Sequence, residues 1–240
     1  MKNIKTYLWQ ITAKTNLHVG NEDSTSYGII DKAVQRDVLT GLPCINASSL
    51  KGAINEFCCG LPETVMTSEQ RKEIFGCDKN GNSNDFSKGK AVFYDAHILF
   101  LPIQDDNNLF SYISSKDVQK LLNDRLALFS MKVNVSDFIR TRNYKNEGNN
   151  VFSELCNDEN LPIIARNVLK NGLSDNLWYE QVVPAETIFY AIIQEPGEVL
   201  KNAIKGKIIQ IGANATVGYG YCKFECIELT DLKDENKKTQ

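Results

Sequence analysis

Three stretches of this sequence hold residues whose types and spacing could do chemistry. The first, Gly28-Ile29-Ile30-Asp31-Lys32-Ala33-Val34-Gln35-Arg36-Asp37, gathers an acid, an amide and two cations within ten residues. It reads as an acid beside a backbone phosphate held by Lys32 or Arg36, or as an exposed charged turn. The second, Ser48-Ser49-Leu50-Lys51-Gly52, has a serine before an apolar-periodic run, which is a helix start. That helix would run from about Ser49 to Cys58, and its free N–H groups beside Lys51 would make an anion site. The third, Gln210–Gly220, places Gly212, Gly218 and Gly220 just before an alternating segment. Glycines there could let a backbone approach a ligand closely and cradle phosphates, or build a tight turn or bulge pair. The order is not that of a dinucleotide fingerprint, and a P-loop Gly-Lys-Ser/Thr is missing.

Other candidates are more isolated. His18 has the residue type of a general base, or is a loop histidine bonded to backbone or RNA. Arg140, Arg142 and Arg166 could touch phosphates or stack on bases, or be exposed charges. The sequence shows no carboxylate cluster of the kind a two-metal nuclease needs.

The elements that must position these residues follow from periodicity. Thr6–Ala13 alternates and predicts a half-buried strand. Thr67-Ser68-Glu69-Gln70 is a capping box for a short helix that stops at Gly76. Cys77–Lys90 reads as a loop, and Ala91–Leu101 as a strand buried on both faces in its second half. Ser114-Ser115-Lys116-Asp117 opens an amphipathic helix to about Phe129. Met131–Pro184 has no persistent period and predicts an irregular arm off the core. A strand over Thr187–Gln194, a short helix over Pro196–Gly206 and a last strand over Tyr219–Glu228 complete the order, before a frayed tail at 231–240. Two βαβ-like halves of this kind predict an α+β fold of ferredoxin or RNA-recognition type.

Composition narrows the class. The 240 residues are 42% hydrophobic and 24% charged, which suits one folded domain rather than a disordered chain. A net charge of −3 argues against a non-specific nucleic-acid coater, though a local basic groove fits within it. Seven cysteines without a CxxC pair, and only two histidines, make a structural zinc site poorly supplied. Reduced, mostly buried thiols are expected. Met1–Gln10 lacks a long apolar segment and no run reaches the length of a membrane span, so a cytoplasmic location without a membrane is expected.

The run GIIDKAVQRDVLTGLPCINASSLKGAINE, together with IQIGANATVGYG, resembles the RAMP superfamily of CRISPR effectors, closest to the repeated backbone subunit of the type III-B (Cmr) complex. AVFYDAHILFLP and LPIIARNVLKNGLSDNLWYEQVVP are similar to the same family, so the likeness covers most of the chain. It implies a modified RNA-recognition, ferredoxin-like palm (about 1–130 and 185–230) with an irregular thumb insertion at about 131–184. It implies crRNA, target RNA, further copies of the chain and other subunits of the complex as partners. It further implies target-RNA cleavage at regular intervals with a divalent metal, Mg2+, on the aspartate that matches Asp31. The RNA contacts it implies are His18, Gln35, Arg36, Ser48, Ser49, Lys51, Arg140, Arg142, Arg166, Asn167, Gly212, Asn214, Gly218, Tyr219 and Gly220. Ala213 replaces a glycine of many relatives, and Cys77–Lys90 is shorter than usual. The alternatives are a non-catalytic RNA scaffold, a type III-A backbone subunit and a crRNA-processing ribonuclease.

Overall fold

The computed structural model describes residues 4–20, 30–77, 87–139 and 144–231. Along the chain, β1 is Ile4–Ala13, α1 Ala47–Cys59, α2 Ser68–Phe75, β2 Ala96–Ile103 and β3 Ser111–Ser115. Then come α3 Lys116–Ala127, β4 Tyr144–Glu147, α4 Asn149–Leu155 and the hairpin β5 Ile163–Lys170 with β6 Leu173–Gln181. The last elements are β7 Ile188–Pro196, α5 Val199–Ile204, β8 Ile208–Gln210 and β9 Tyr221–Ile227. The main sheet runs β8-β9-β1-β7-β2-β3-β4. Every neighbouring pair is antiparallel except β3 with β4. Its centre, β9-β1-β7-β2 with α1 and α5 as the crossovers, is the βαββαβ arrangement expected from the pattern of strands and helices.

β1 was expected to be half-buried, but it is buried on both faces from Tyr7 onward. It lies between β7 and β9, with Leu8 opposite both Ile192 and Ile227. Its second face is covered by the 137–139 turn, and the polar side chains there satisfy each other: Gln10 Nε2 donates to Thr12 Oγ1 at 3.1 Å. α1 points Leu50, Ile54 and Cys58 into the core at fourfold spacing. It begins at Ala47, earlier than the serine signal placed it, and Asn46 makes no side-chain cap. Its first amides are held from afar, Asn46 N by Gln35 Oε1 at 2.9 Å and Ala47 N by Asp95 Oδ1 at 2.6 Å. The capping box at Thr67 and Gln70 is present, and α2 ends at Gly76 with φ 91°.

The expected strand over Ala91–Leu101 divides. Val92–Phe93 and β2 pair with β7 separately, and β3, which the serine-rich start of the helix concealed, is buried throughout. Met131–Pro184, expected as an irregular arm, also divides. Val133, Val135, Phe138, Phe152 and Cys156 enter the core, and β4 extends the sheet beside β3. What leaves the core is a regular hairpin with both faces largely exposed. The outer half of this ribbon buries neither face and so has no alternation to write into sequence, and segments of two to seven residues are too short to show a period.

Cys44, Cys58, Cys156 and Cys222 are buried thiols, each pushed up to about 12 by burial, as expected of inert reduced cysteines. Among the described residues no helix is long and apolar enough to cross a membrane.

Candidate nucleic-acid interface

Asp31 sits at the root of the hairpin. Its backbone N–H and that of Lys32 both donate to Tyr179 O, at 3.0 and 3.1 Å, and its carboxylate Oδ2 accepts from Tyr179 N at 2.7 Å. The residue is otherwise exposed, and its second carboxylate oxygen has no hydrogen-bond partner among the described residues. Lys32 places its ammonium 5.1 Å from the centre of the Trp178 ring on the same strand. The aspartate is thus fixed by backbone contacts to β6 rather than held on a free loop.

Behind it lies a buried acid that inspection of motifs missed. Glu180, 1% exposed, accepts from Arg166 Nε at 3.0 Å and from Asn214 Nδ2 at 2.8 Å. His18 Nε2 lies 3.3 Å from the same carboxylate, and its Nδ1 is 2.7 Å from Gln181 O. The Arg166 guanidinium lies 4.4 Å from the centre of the Tyr219 ring. His18, Arg166 and Asn214, chosen as separate RNA contacts, therefore converge on one carboxylate, and Tyr219 joins them through the Arg166 guanidinium. That carboxylate joins the hairpin, the segment after β1 and the glycine-rich loop. A buried charge is tolerated only when paired and hydrogen-bonded, and this one has both. His18 is 3% exposed with both ring nitrogens turned to the hairpin, so it is not presented to RNA as a surface base.

The glycine-rich loop closes on the protein itself. A Cβ on Gly212 would collide with His18 O, and one on Gly220 with Ile211 O, while both residues have positive φ. Ala213 N donates to His18 O at 2.9 Å and Gly220 N to Asn16 O at 2.9 Å. The close approach these two glycines permit is backbone to backbone within the protein, as the tight-turn alternative expects. A Cβ on Gly218, at φ +83°, would meet nothing within 4 Å. We expect Gly220→Val to lower the melting temperature sharply or prevent folding. Gly218→Asn, whose residue type tolerates φ > 0, should melt within a few degrees of wild type. Thermal melting beside guide-RNA affinity distinguishes these outcomes.

Residues 10–223 match the family model described as RAMP superfamily. The chain belongs to the RAMP superfamily. It is 25% identical to "CRISPR system Cmr endoribonuclease Cmr4" of Pyrococcus furiosus, over 95% of this chain and 98% of that one. It is 31% identical to "CRISPR system Cms endoribonuclease Csm3" of Streptococcus thermophilus, over 45% and 50%. A type III-B Cmr-beta structure in the apo state has a TM-score of 0.72 at 20% identity, covering 93% of this chain and 97% of that one. Oligomeric Cmr4 from Pyrococcus furiosus gives 0.67 at 20% identity, covering 95% and 100%. These structural likenesses establish a shared RAMP fold.

Within this RAMP chain the remaining candidates divide by partner. Arg36 donates to Gly41 O at 2.8 Å, to Cys156 O at 2.7 Å and to Asp158 Oδ1 at 2.9 Å. Those bonds clamp its loop to the end of α4, so the phosphate contact expected of Arg36 competes with an internal role. Gln35 is likewise turned to α1, through Asn46 N and Ser49 Oγ. Asn167 accepts from Ser174 Oγ across the hairpin at 2.9 Å. Ser49 and Gly212 line one groove between α1 and β8, and Ser48 is exposed beside it. Lys51 is half-buried and makes no ion pair among the described residues. Arg140 and Arg142 lie outside the described residues. Glu180 carried one sequence signal: an acid next to Gln181-Val182-Val183, in a run too apolar for a solvated charge. Its partner Arg166 lies fourteen positions away, beyond any local pattern.

Proposed function

We propose that this RAMP chain is the repeated backbone subunit of a type III-B CRISPR effector complex. It binds crRNA, stacks with further copies of itself and with other subunits of the complex, and cleaves complementary target RNA at regular intervals. The observation that carries this reading is Asp31, exposed and fixed at the root of a projecting hairpin by Tyr179. A hairpin entering a guide–target duplex brings the strand it splays to that carboxylate. The near full-length likeness to a protein named as an endoribonuclease supports the type III-B reading over type III-A, whose likeness covers about half of each chain.

The chemistry asks little of the protein. A splayed nucleotide can align its own 2′-hydroxyl with the adjacent phosphorus. The hydroxyl oxygen then bonds to phosphorus, the bond to the 5′-oxygen breaks, and the 5′-oxygen takes up a proton. The free oxygen of Asp31 can accept the hydroxyl proton, and Lys32 beside it offsets charge on the phosphate. Among the described residues, no three His, Cys, Asp or Glu side chains gather to hold a metal. Where that oxygen instead holds a divalent ion, Asp31 would be its single protein ligand among the described residues, with RNA phosphates and water completing the shell. Bound there, Mg2+ would supply positive charge to the phosphate oxygens.

The test is reconstitution of the chain with guide RNA and the other subunits on an end-labelled complementary RNA. A ladder with one constant spacing is expected, and intact target or random fragments would overturn the reading. Lys51, in the second turn of α1 and without an ion pair among the described residues, is expected to contact the guide backbone. Lys51→Ala should weaken guide binding and lower the slope of log affinity against log salt by about one. An unchanged affinity at every salt concentration would remove it from the interface.

A further inference from the structure

A second concave site shares no residue with the cluster around Glu180. His97 on β2 and Tyr190 on β7 are register partners in adjacent strands, their rings 5.6 Å apart. Above them the end of α3 and the residues just after it bring Arg125, Leu128 and Phe129, and the approach to β2 brings Tyr94 and Asp95. Together with Ile192 they enclose a cavity of about 240 Å³. Tyr94 and Phe129 meet edge to face at 5.7 Å and form an aromatic wall.

The polar groups facing this cavity are of both kinds. Arg125 donates to Tyr190 Oη, which commits one of its five N–H donors, and pairs with Asp37 Oδ2 at 3.9 Å. His97 Nδ1 faces Asp37 Oδ2 at 3.5 Å. Burial first, then Arg125, depresses its pKa to about 4, so the ring is neutral at pH 7. With its proton on Nδ1, beside that carboxylate, the ring would offer Nε2 as an acceptor. Asp95 Oδ1 accepts from Ala47 N at 2.6 Å, and its Oδ2 has no hydrogen-bond partner among the described residues.

We propose that this cavity binds a guanine base, stacked on Phe129 with Tyr94 against its edge. Its N1–H and N2–H donors would bond Asp95 and His97, and its O6 and N7 acceptors would bond Arg125. Adenine would turn an acceptor toward the carboxylate, and a pyrimidine offers less area to the aromatic wall. Two sources carry this chemistry: a free guanine nucleotide and an unpaired guanosine of bound RNA.

Titration calorimetry with GMP and AMP on the intact chain tests it. GMP is expected to bind at least about tenfold more tightly than AMP. Phe129→Ala and Asp95→Asn should each lower GMP affinity by about tenfold. Asp95→Asn keeps the oxygen that accepts from Ala47 N, so its melting temperature should stay unchanged and separate lost recognition from lost folding. RNA carrying 6-thioguanosine supplies the second arm. Photo-crosslinking to the peptides holding Tyr94 or Phe129, with no GMP binding, assigns the base to RNA, whereas GMP binding assigns a free nucleotide. Neither binding nor crosslink, or equal affinity for GMP and AMP unaffected by both variants, overturns the proposal. Asp31→Asn protein should bind GMP like wild type, so a failure of the proposed cleavage leaves this result readable.

Discussion

Asp31→Asn will leave guide and target RNA bound and slow the regular cuts by at least about a hundredfold, the usual contribution of a positioned proton acceptor. The geometry makes this substitution unusually clean. Asp31 Oδ2 accepts the Tyr179 N–H at 2.7 Å, and the amide oxygen of asparagine can keep that bond. The backbone bonds from residues 31 and 32 to Tyr179 O do not involve the side chain. Hairpin placement should therefore survive while the charge and the proton acceptor are lost. Asp31→Ala removes both, and comparison of the two separates anchoring from chemistry. Cleavage should be measured on the assembled complex, with filament formation and target affinity followed in parallel. An asparagine variant that cuts at the wild-type rate would place the chemistry elsewhere. One that fails to bind target would make Asp31 a structural residue.

The second large effect is expected at Glu180. Its carboxylate is buried against Arg166 and Asn214, with His18 at 3.3 Å. Glu180→Ala leaves the Arg166 guanidinium without its counter-charge in a largely buried position, a change that typically costs about 3–5 kcal/mol. For a chain of this length that corresponds to a loss of about 10 °C in melting temperature. Because three separate segments meet at this side chain, RNA affinity should fall in the fraction that remains folded. Arg166→Ala in the Glu180→Ala background should cost much less than in wild type, since its partner is already gone. Additive losses from a double-mutant cycle, read by thermal melting, would show that the two side chains do not act as a unit.

The amino-acid sequence by itself determined the order of the main strands and helices, because each is encoded by neighbours two to four positions apart. The alternation of Thr6–Ala13 and the Thr67–Gln70 box are local facts, and they reappear as β1 and α2. The likeness of two motifs to the RAMP superfamily was likewise legible, and the family model spans residues 10–223. Tertiary structure alone decided what those motifs touch. Gly212 and Gly220 are required by the carbonyls of His18 and Ile211, and only folding brings those atoms to them. The start of α1 depends on Gln35 and Asp95, which lie 11 and 48 positions from the amides they hold. The hairpin carries no periodic pattern because both of its faces meet solvent, so nothing in its residues marked where Met131–Pro184 leaves the core. Glu180 stayed hidden for the same reason in reverse. A buried charge is specified by its partners, and Arg166, Asn214 and His18 come from three different parts of the chain. Local periodicity records which face of an element is buried; the pairing of distant polar groups is recorded only once the chain has closed on itself.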